Sequence, residues 1–272
     1  MASRQSVLGP ALTILLTSGV AIPSILFELG WQFSMQRFDS EEILDSAQCP
    51  TSERETSLRD LCRINRWFGG VATTRNMIGR VSRSTGQKHF SLLDVAAGYG
   101  EVPRAAAAQL AKKGIILEIT DVDRLHSNLR RGRGAVVADA LALPFRQESF
   151  DLVSCSLFAH HLDPCELARF VDEALRVARI AVLINDLIRH PLHLALVYAG
   201  FPLMRSYVSR VDGVASVRRA YVPEEIRDVL SNQPSDGRRI EISRHYLFRM
   251  GVMVWKVTSS KRNQIDRLRR IA

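Results

Sequence analysis

Leu92-Leu93-Asp94-Val95-Ala96-Ala97-Gly98-Tyr99-Gly100-Glu101 is the stretch that decides how the chain is read. The apolar run ending at Val95 predicts a buried strand, and Gly98 and Gly100 predict a tight turn. The alanine-rich residues 101–113 predict a helix that stops at Gly114. Without a Cβ, glycine lets a ligand approach the backbone of such a turn closely. A dinucleotide fingerprint would carry a third glycine at position 103 to seat a pyrophosphate on the helix N-terminus, but Pro103 stands there. Asp94, inside the strand just before the turn, would repel a phosphate and suits a cation.

The pattern continues outward as alternating strand and helix. Strands are expected over 90–95, 115–120, 135–138, 150–156 and 180–185, and helices over 124–131 and 164–178. Asp163 is placed to cap the helix over 164–178. The second and fifth strands show little internal alternation, as expected for strands buried on both faces of a parallel sheet. Two further strands over 240–248 and 252–258, joined by a turn at Met250-Gly251, predict a terminal hairpin and hence an antiparallel strand. Upstream, 57–68 has helical spacing and ends at Gly69-Gly70. A second short helix runs through Met77 and Ile78 to Val81, and Ser84-Thr85-Gly86 forms a turn. The fold class is α/β: a Rossmann-like sheet with a terminal antiparallel hairpin, helices on both faces and an N-terminal helical cap.

Carboxylates recur where these strands end. Asp121 and Asp123 close the second strand, where an acid can accept both hydroxyls of a ribose. Asp139-Ala140 follows the third strand, where the acid could accept from an adenine amino group. Leu143-Pro144-Phe145 then leads to Ser149-Phe150-Asp151-Leu152-Val153, the start of the fourth strand. With these pieces in order, the chain resembles the class I S-adenosylmethionine-dependent methyltransferases, of the small-molecule type that includes the ubiquinone and menaquinone methylases. The resemblance covers roughly 57–258. It implies a seven-stranded sheet with an antiparallel seventh strand and S-adenosylmethionine as cofactor, held by Asp94, Ala96, Gly98, Gly100, Asp123, Asp139, Ala140 and Ser156. In two places the chain departs from the family pattern. Ala96 replaces the usual first glycine of the motif, and Tyr99 replaces a small residue. Asp123 is preferred over Asp121 for the ribose, because family members carry the acid just ahead of the following helix.

The acceptor side is read from the end of the fourth strand, Ser156-Leu157-Phe158-Ala159-His160-His161-Leu162. Methyl transfer is an in-line displacement at a sulfonium carbon, so alignment and exclusion of water can carry most of the catalysis. Where oxygen is methylated a base helps, and His160 and His161 are the candidate catalytic residues. The long connection over 187–236 is apolar in its first half and reads as a helical lid inserted in the methyltransferase domain. Arg218 and Arg219 could meet an acidic or phenolic acceptor, and Trp67 could stack on one.

The remaining features bound the answer. The chain has 272 residues, 46% hydrophobic and 24% charged, in globular proportions that exclude wholesale disorder. The net charge is +9, and from Arg205 onward fifteen Lys/Arg face seven Asp/Glu, a basic tail on a nearly neutral body. Cys49, Cys62, Cys155 and Cys165 include no closely spaced pair, which excludes a disulfide framework and speaks against a zinc finger; no metal is expected. Residues 1–34 form an apolar, proline-broken segment outside the core, read as a tether or a mis-start with Met35 as the true initiator. The domains are then 1–34, a helical cap over 35–86, the methyltransferase domain over 87–260, and a basic tail over 261–272. The expected protein is cytoplasmic, with peripheral membrane contact through 1–34 left open, and acts on a small apolar acceptor such as a phenol, quinone precursor or polyketide-like lipid. Two rivals stand beside it, an RNA methyltransferase and a non-catalytic binding protein on the same scaffold. RNA is not the expected partner, because no Asn/Asp-Pro-Pro-Tyr-type amine site follows the fourth strand. The oligomeric state is not read from the sequence.

Overall fold

The structure is a computed structural model and describes residues 35–46, 48–129, 134–232 and 238–256. The expectations for 1–34 and 261–272 lie outside these residues. In chain order the elements are α1 (Thr51–Trp67), α2 (Gly70–Thr85), β1 (His89–Val95), α3 (Glu101–Ala111), β2 (Ile116–Asp123), β3 (Ala135–Val137), β4 (Phe150–Ser156), α4 (Pro164–Val177), β5 (Ala178–Leu187), α5 (Pro191–Ala199), α6 (Tyr207–Arg219), α7 (Pro223–Ser231), β6 (Arg239–His245) and β7 (Arg249–Trp255). The seven strands form one sheet in the order β3-β2-β1-β4-β5-β7-β6. The first five are parallel, and β7 runs antiparallel to both β5 and β6.

Period-two alternation divides the core between the two faces of this sheet. Phe90, Leu92, Leu152, Ala181, Leu183 and Met253 face one side with Met77, Ile78 and Val81 of α2 and Leu110 of α3. Leu93, Val95, Val153, Val182, Ile184 and Val254 face the other with Leu167, Phe170 and Val171 of α4 and Ile226 of α7. Both faces are dry, which explains why β5 reads as a continuous apolar run. β2 behaves differently: Ile116 at its start is 56% exposed. β3 is only three residues long and pairs with Asp121–Asp123 alone, so the first half of β2 is a sheet edge.

Local signals place most boundaries. Asp163 accepts from Glu166 N–H (2.8 Å) while Glu166 Oε2 accepts from Asp163 N–H (3.0 Å), a reciprocal cap with Pro164 in the first turn of α4. Three expectations are corrected. α1 starts at Thr51, six residues early, because its inward face is polar: Arg54, Ser57 and Asp60 are buried and hydrogen-bonded. The helix expected over 124–131 is, among the described residues, a 3-10 turn at His126–Asn128, because Asp123 Oδ1 accepts from Leu125 N–H (2.9 Å) and Asn128 Nδ2 (3.1 Å). The hairpin turns at Tyr246–Phe248, with Leu247 and Phe248 at positive φ, not at Met250-Gly251. Gly251 lies inside β7, where a Cβ would come within 3.0 Å of both Met77 Sδ and His245 Nε2.

Candidate active site

One cavity of about 750 Å³ opens at the carboxyl ends of β1, β2 and β4, where an open α/β sheet offers ligand groups. Its floor is the turn after β1. Ala96 (φ 54) and Gly98 (φ 52) hold this turn in the left-handed region. Ala96, Ala97, Gly98 and Tyr99 line the cavity, and Leu58, Leu61 and Cys62 of α1 roof it. Gly98 N–H donates to Asp123 Oδ2 at 3.0 Å, tying the turn to the end of β2.

The two candidate ribose acids have different surroundings. Arg104 of α3 binds Asp121 through both guanidinium nitrogens, at 2.8 and 2.9 Å. Gly100 (φ 61) makes this pair possible, since a Cβ there would lie 2.8 Å from Asp121 Oδ2 and closer still to Arg104. Gly100 and Asp121 are thus absorbed in the packing behind the turn, and neither lines the cavity, whereas Asp123 does.

Asp94 also lines the cavity, 3% exposed. Burial pushes its carboxyl up to about 7, against the hydrogen bond from Ser154 Oγ (2.7 Å). A desolvated acid with one short donor, facing a cavity, is chemically matched to a cationic ligand and mismatched to a phosphate. Asp139, Ala140 and Ser156 line the same cavity, and Asp139 Oδ1 accepts from Leu141 N–H at 2.8 Å.

The opposite wall is built by the loop after β4 and by a strap, residues 35–46, that crosses it from the N-terminal side. Arg37 donates to the carbonyls of Arg219 (2.7 Å), His160 (3.1 Å) and Leu162 (3.1 Å), and Asp212 of α6 accepts from the backbone of Ile43 and Leu44 (both 2.9 Å). The strap presents Glu42 to the two histidines. His160, 1% exposed, contacts Asp186 Oδ1 through Nδ1 (2.7 Å) and Glu42 Oε1 through Nε2 (3.3 Å). Burial opposes charge on this ring, yet Asp186 and Glu42 outweigh it and raise its pKa to about 10. His161 is more open; its Nδ1 lies 2.8 Å from Asp45 and its Nε2 3.8 Å from Glu42 Oε2.

The remaining acceptor-side residues are scattered. Arg219 lines the cavity, but its guanidinium is engaged with the carbonyls of Ser40 (3.0 Å) and His161 (2.9 Å) and with Asp39 (3.0 Å), so it clamps strap to loop. Arg218, one residue away in α6, is exposed and lies off the cavity wall. Trp67 is 57% exposed at the end of α1 and is likewise not in the lining. Glu42, Asp45 and Asp186 carry no local signal in the sequence, because each meets a histidine far along the chain.

Comparison with known proteins agrees with this geometry. Residues 93–181, from within β1 into β5, match the family described as "Methyltransferase domain". The fold is similar to the plantazolicin methyltransferase BpumL in complex with a triazolic desmethylPZN analog and SAH, at 12% identity and a TM-score of 0.55, covering 76% of this chain and 99% of that one. It is also similar to the plantazolicin methyltransferase BamL in complex with the same type of analog and SAH, at 10% identity and a TM-score of 0.53, covering 75% and 97%. No curated protein sequence matches the chain. Residues 93–181 thus match a methyltransferase domain, and the described fold is the one these methyltransferases share.

Proposed function

We propose that the protein methylates oxygen or carbon of a small, largely apolar acceptor such as a phenol, a quinone precursor or a polyketide-like lipid. The observation that carries this reading is the continuity of one cavity from the Asp94–Gly98 turn to the loop holding Phe158, His160 and His161. Cofactor and acceptor would meet there without crossing solvent.

When bound, S-adenosylmethionine supplies a methyl group on a sulfonium centre, open to in-line displacement. Asp94 would hold its ammonium, Asp123 the ribose hydroxyls and Asp139 the adenine amino group, with Ala96, Gly98, Ala140 and Ser156 shaping the walls. Leu58, Leu61, Phe158 and Leu162 offer the acceptor an apolar surface and exclude water, which aligns the reactants and strengthens local electrostatics. Of the two candidate bases, His161 is the more open and stands nearer the role of taking an acceptor proton, whereas His160, held charged between Asp186 and Glu42, would instead orient the loop and offset negative charge on the acceptor. Arg219 acts through the strap, holding the cavity wall in place. The protein is read as cytoplasmic, where its cofactor is made. No helix among the described residues is long and apolar enough to cross a membrane.

The test is incubation with isotopically methyl-labelled S-adenosylmethionine and a panel of phenols, quinone precursors and polyketide-like lipids, read by mass. Gain of one labelled methyl group on a panel member supports the proposal. Salt-dependent labelling of RNA in place of every small acceptor would overturn it.

A further inference from the structure

We propose that Glu42, His160 and His161 form a binding site for one divalent transition-metal ion, facing the acceptor end of the cavity. One ligating atom from each lies within 4.8 Å of the others, and two of the three side chains are buried. Glu42 sits between the rings, with Oε1 3.3 Å from His160 Nε2 and Oε2 3.8 Å from His161 Nε2. A small inward movement of these atoms brings them to the separation of roughly 3–3.5 Å that neighbouring ligands adopt around an ion bound at about 2.0–2.2 Å.

A second, independent feature is the backing of each ring. Asp186 holds Nδ1 of His160 at 2.7 Å and Asp45 holds Nδ1 of His161 at 2.8 Å. Both imidazoles are therefore oriented by a carboxylate on Nδ1 and present Nε2 to the Glu42 carboxylate. This carboxylate–histidine arrangement fixes the tautomer and raises the basicity of a ligating ring. Asp186 is itself anchored, accepting from the backbone N–H of His160 (3.0 Å) and of Leu187 (2.7 Å).

The donor set selects the ligand class. Two imidazoles and one carboxylate suit Zn²⁺ and its first-row neighbours better than Mg²⁺ or Ca²⁺, which prefer oxygen donors. Three protein ligands leave coordination positions open, as in catalytic rather than structural sites. All three residues line the cavity, so an open position would face the acceptor. There the ion would take an acceptor's hydroxyl oxygen and favour its ionised form. Ion binding itself stands independent of the methyl-transfer reading; only this role rests on it.

The test uses full-length protein freed of metal by chelator and dialysis, without cofactor, titrated calorimetrically with Zn²⁺ and followed by visible absorption with Co²⁺. The expected result is saturation at one equivalent, with Co²⁺ bands of a low-coordinate nitrogen and oxygen site. Glu42→Gln and His161→Ala should each weaken binding by at least 10–100-fold, while His89→Ala, at an exposed strand end, leaves it unchanged. Asp45→Asn, at a half-exposed position, should weaken it about 10–100-fold and serves if the buried variants do not fold. Retained affinity for S-adenosylhomocysteine reports separately that the cofactor half is intact. Failure of the folded wild type to saturate at one equivalent, or full affinity in Glu42→Gln, His161→Ala and Asp45→Asn, would overturn the proposal.

Discussion

Arg104 grips Asp121 with both terminal guanidinium nitrogens, and this ion pair holds Asp121 apart from its neighbour Asp123. Asp121 is turned into the packing under Gly100, while Asp123, two residues on, faces the cavity. Asp123→Ala should therefore weaken S-adenosylmethionine binding by about 2–4 kcal/mol, roughly 30- to 1,000-fold, for the loss of two hydrogen bonds to a charged acceptor. Asp121→Asn should leave affinity within about threefold and lower the melting temperature instead, because a half-paired Arg104 is left behind. Calorimetric titration beside a thermal melt checks both, and the reverse pattern would mean that the acids exchange roles.

Cofactor affinity should depend on pH through Asp94. Burial first, partly offset by Ser154, raises its carboxyl from the usual 3.8 to about 7, so the free protein holds it protonated below that point. A cationic ligand favours the carboxylate. Affinity should then rise with pH up to about 7, level off above it, and fall by up to tenfold per unit below. Asp94→Asn should bind weakly and flatten the profile. A wild-type profile that is flat from pH 5.5 to 8 would remove Asp94 from the cofactor site.

Two glycines should be intolerant for different reasons. Gly100→Ala meets both a positive φ and the Arg104–Asp121 pair and should cost about 1–3 kcal/mol, read from denaturant unfolding. Gly251→Val crowds Met77 and His245 inside β7 and should cost a similar amount through overpacking of about 1–3 kcal/mol. Gly114→Ala has open space around its Cβ position and bears only the φ penalty of about 1–2 kcal/mol.

A chain beginning at Met35 should fold and bind the cofactor. The strap it keeps is held throughout: Arg189 Nε donates to the carbonyl of Met35 (2.6 Å), Phe38 N–H to that of Arg218 (3.1 Å), and Asp212 caps Ile43 and Leu44. Matching melting temperature and S-adenosylhomocysteine affinity in the full and shortened chains would support this. Loss of binding on shortening would place residues 1–34 in the functional unit.

What could be read ahead of the structure was local. A strand, a glycine turn and a helix lie within twenty residues around Asp94, so their order and the acids at successive strand ends were legible in sequence. The acceptor wall was not, because it is assembled across the chain: Glu42 meets His160 over 118 positions. Helical phase separates Arg219 from Arg218, and neither composition nor spacing tells which faces inward. α1 concealed its first turn because the buried side chains are Arg54, Ser57 and Asp60 rather than apolar ones. The hairpin carries no glycine signal, because its left-handed positions are Leu247 and Phe248, while Gly251 answers to crowding by Met77 inside β7.

Calorimetric titration of S-adenosylhomocysteine into the full-length wild-type protein and its Asp123→Ala variant asks whether the cavity holds the cofactor through Asp123. The expected result is saturation at one equivalent in the wild type and a loss of about 30-fold or more in the variant, with both proteins folded by circular dichroism. Absence of saturable binding to the folded wild type, or equal affinity in the two proteins, would contradict it.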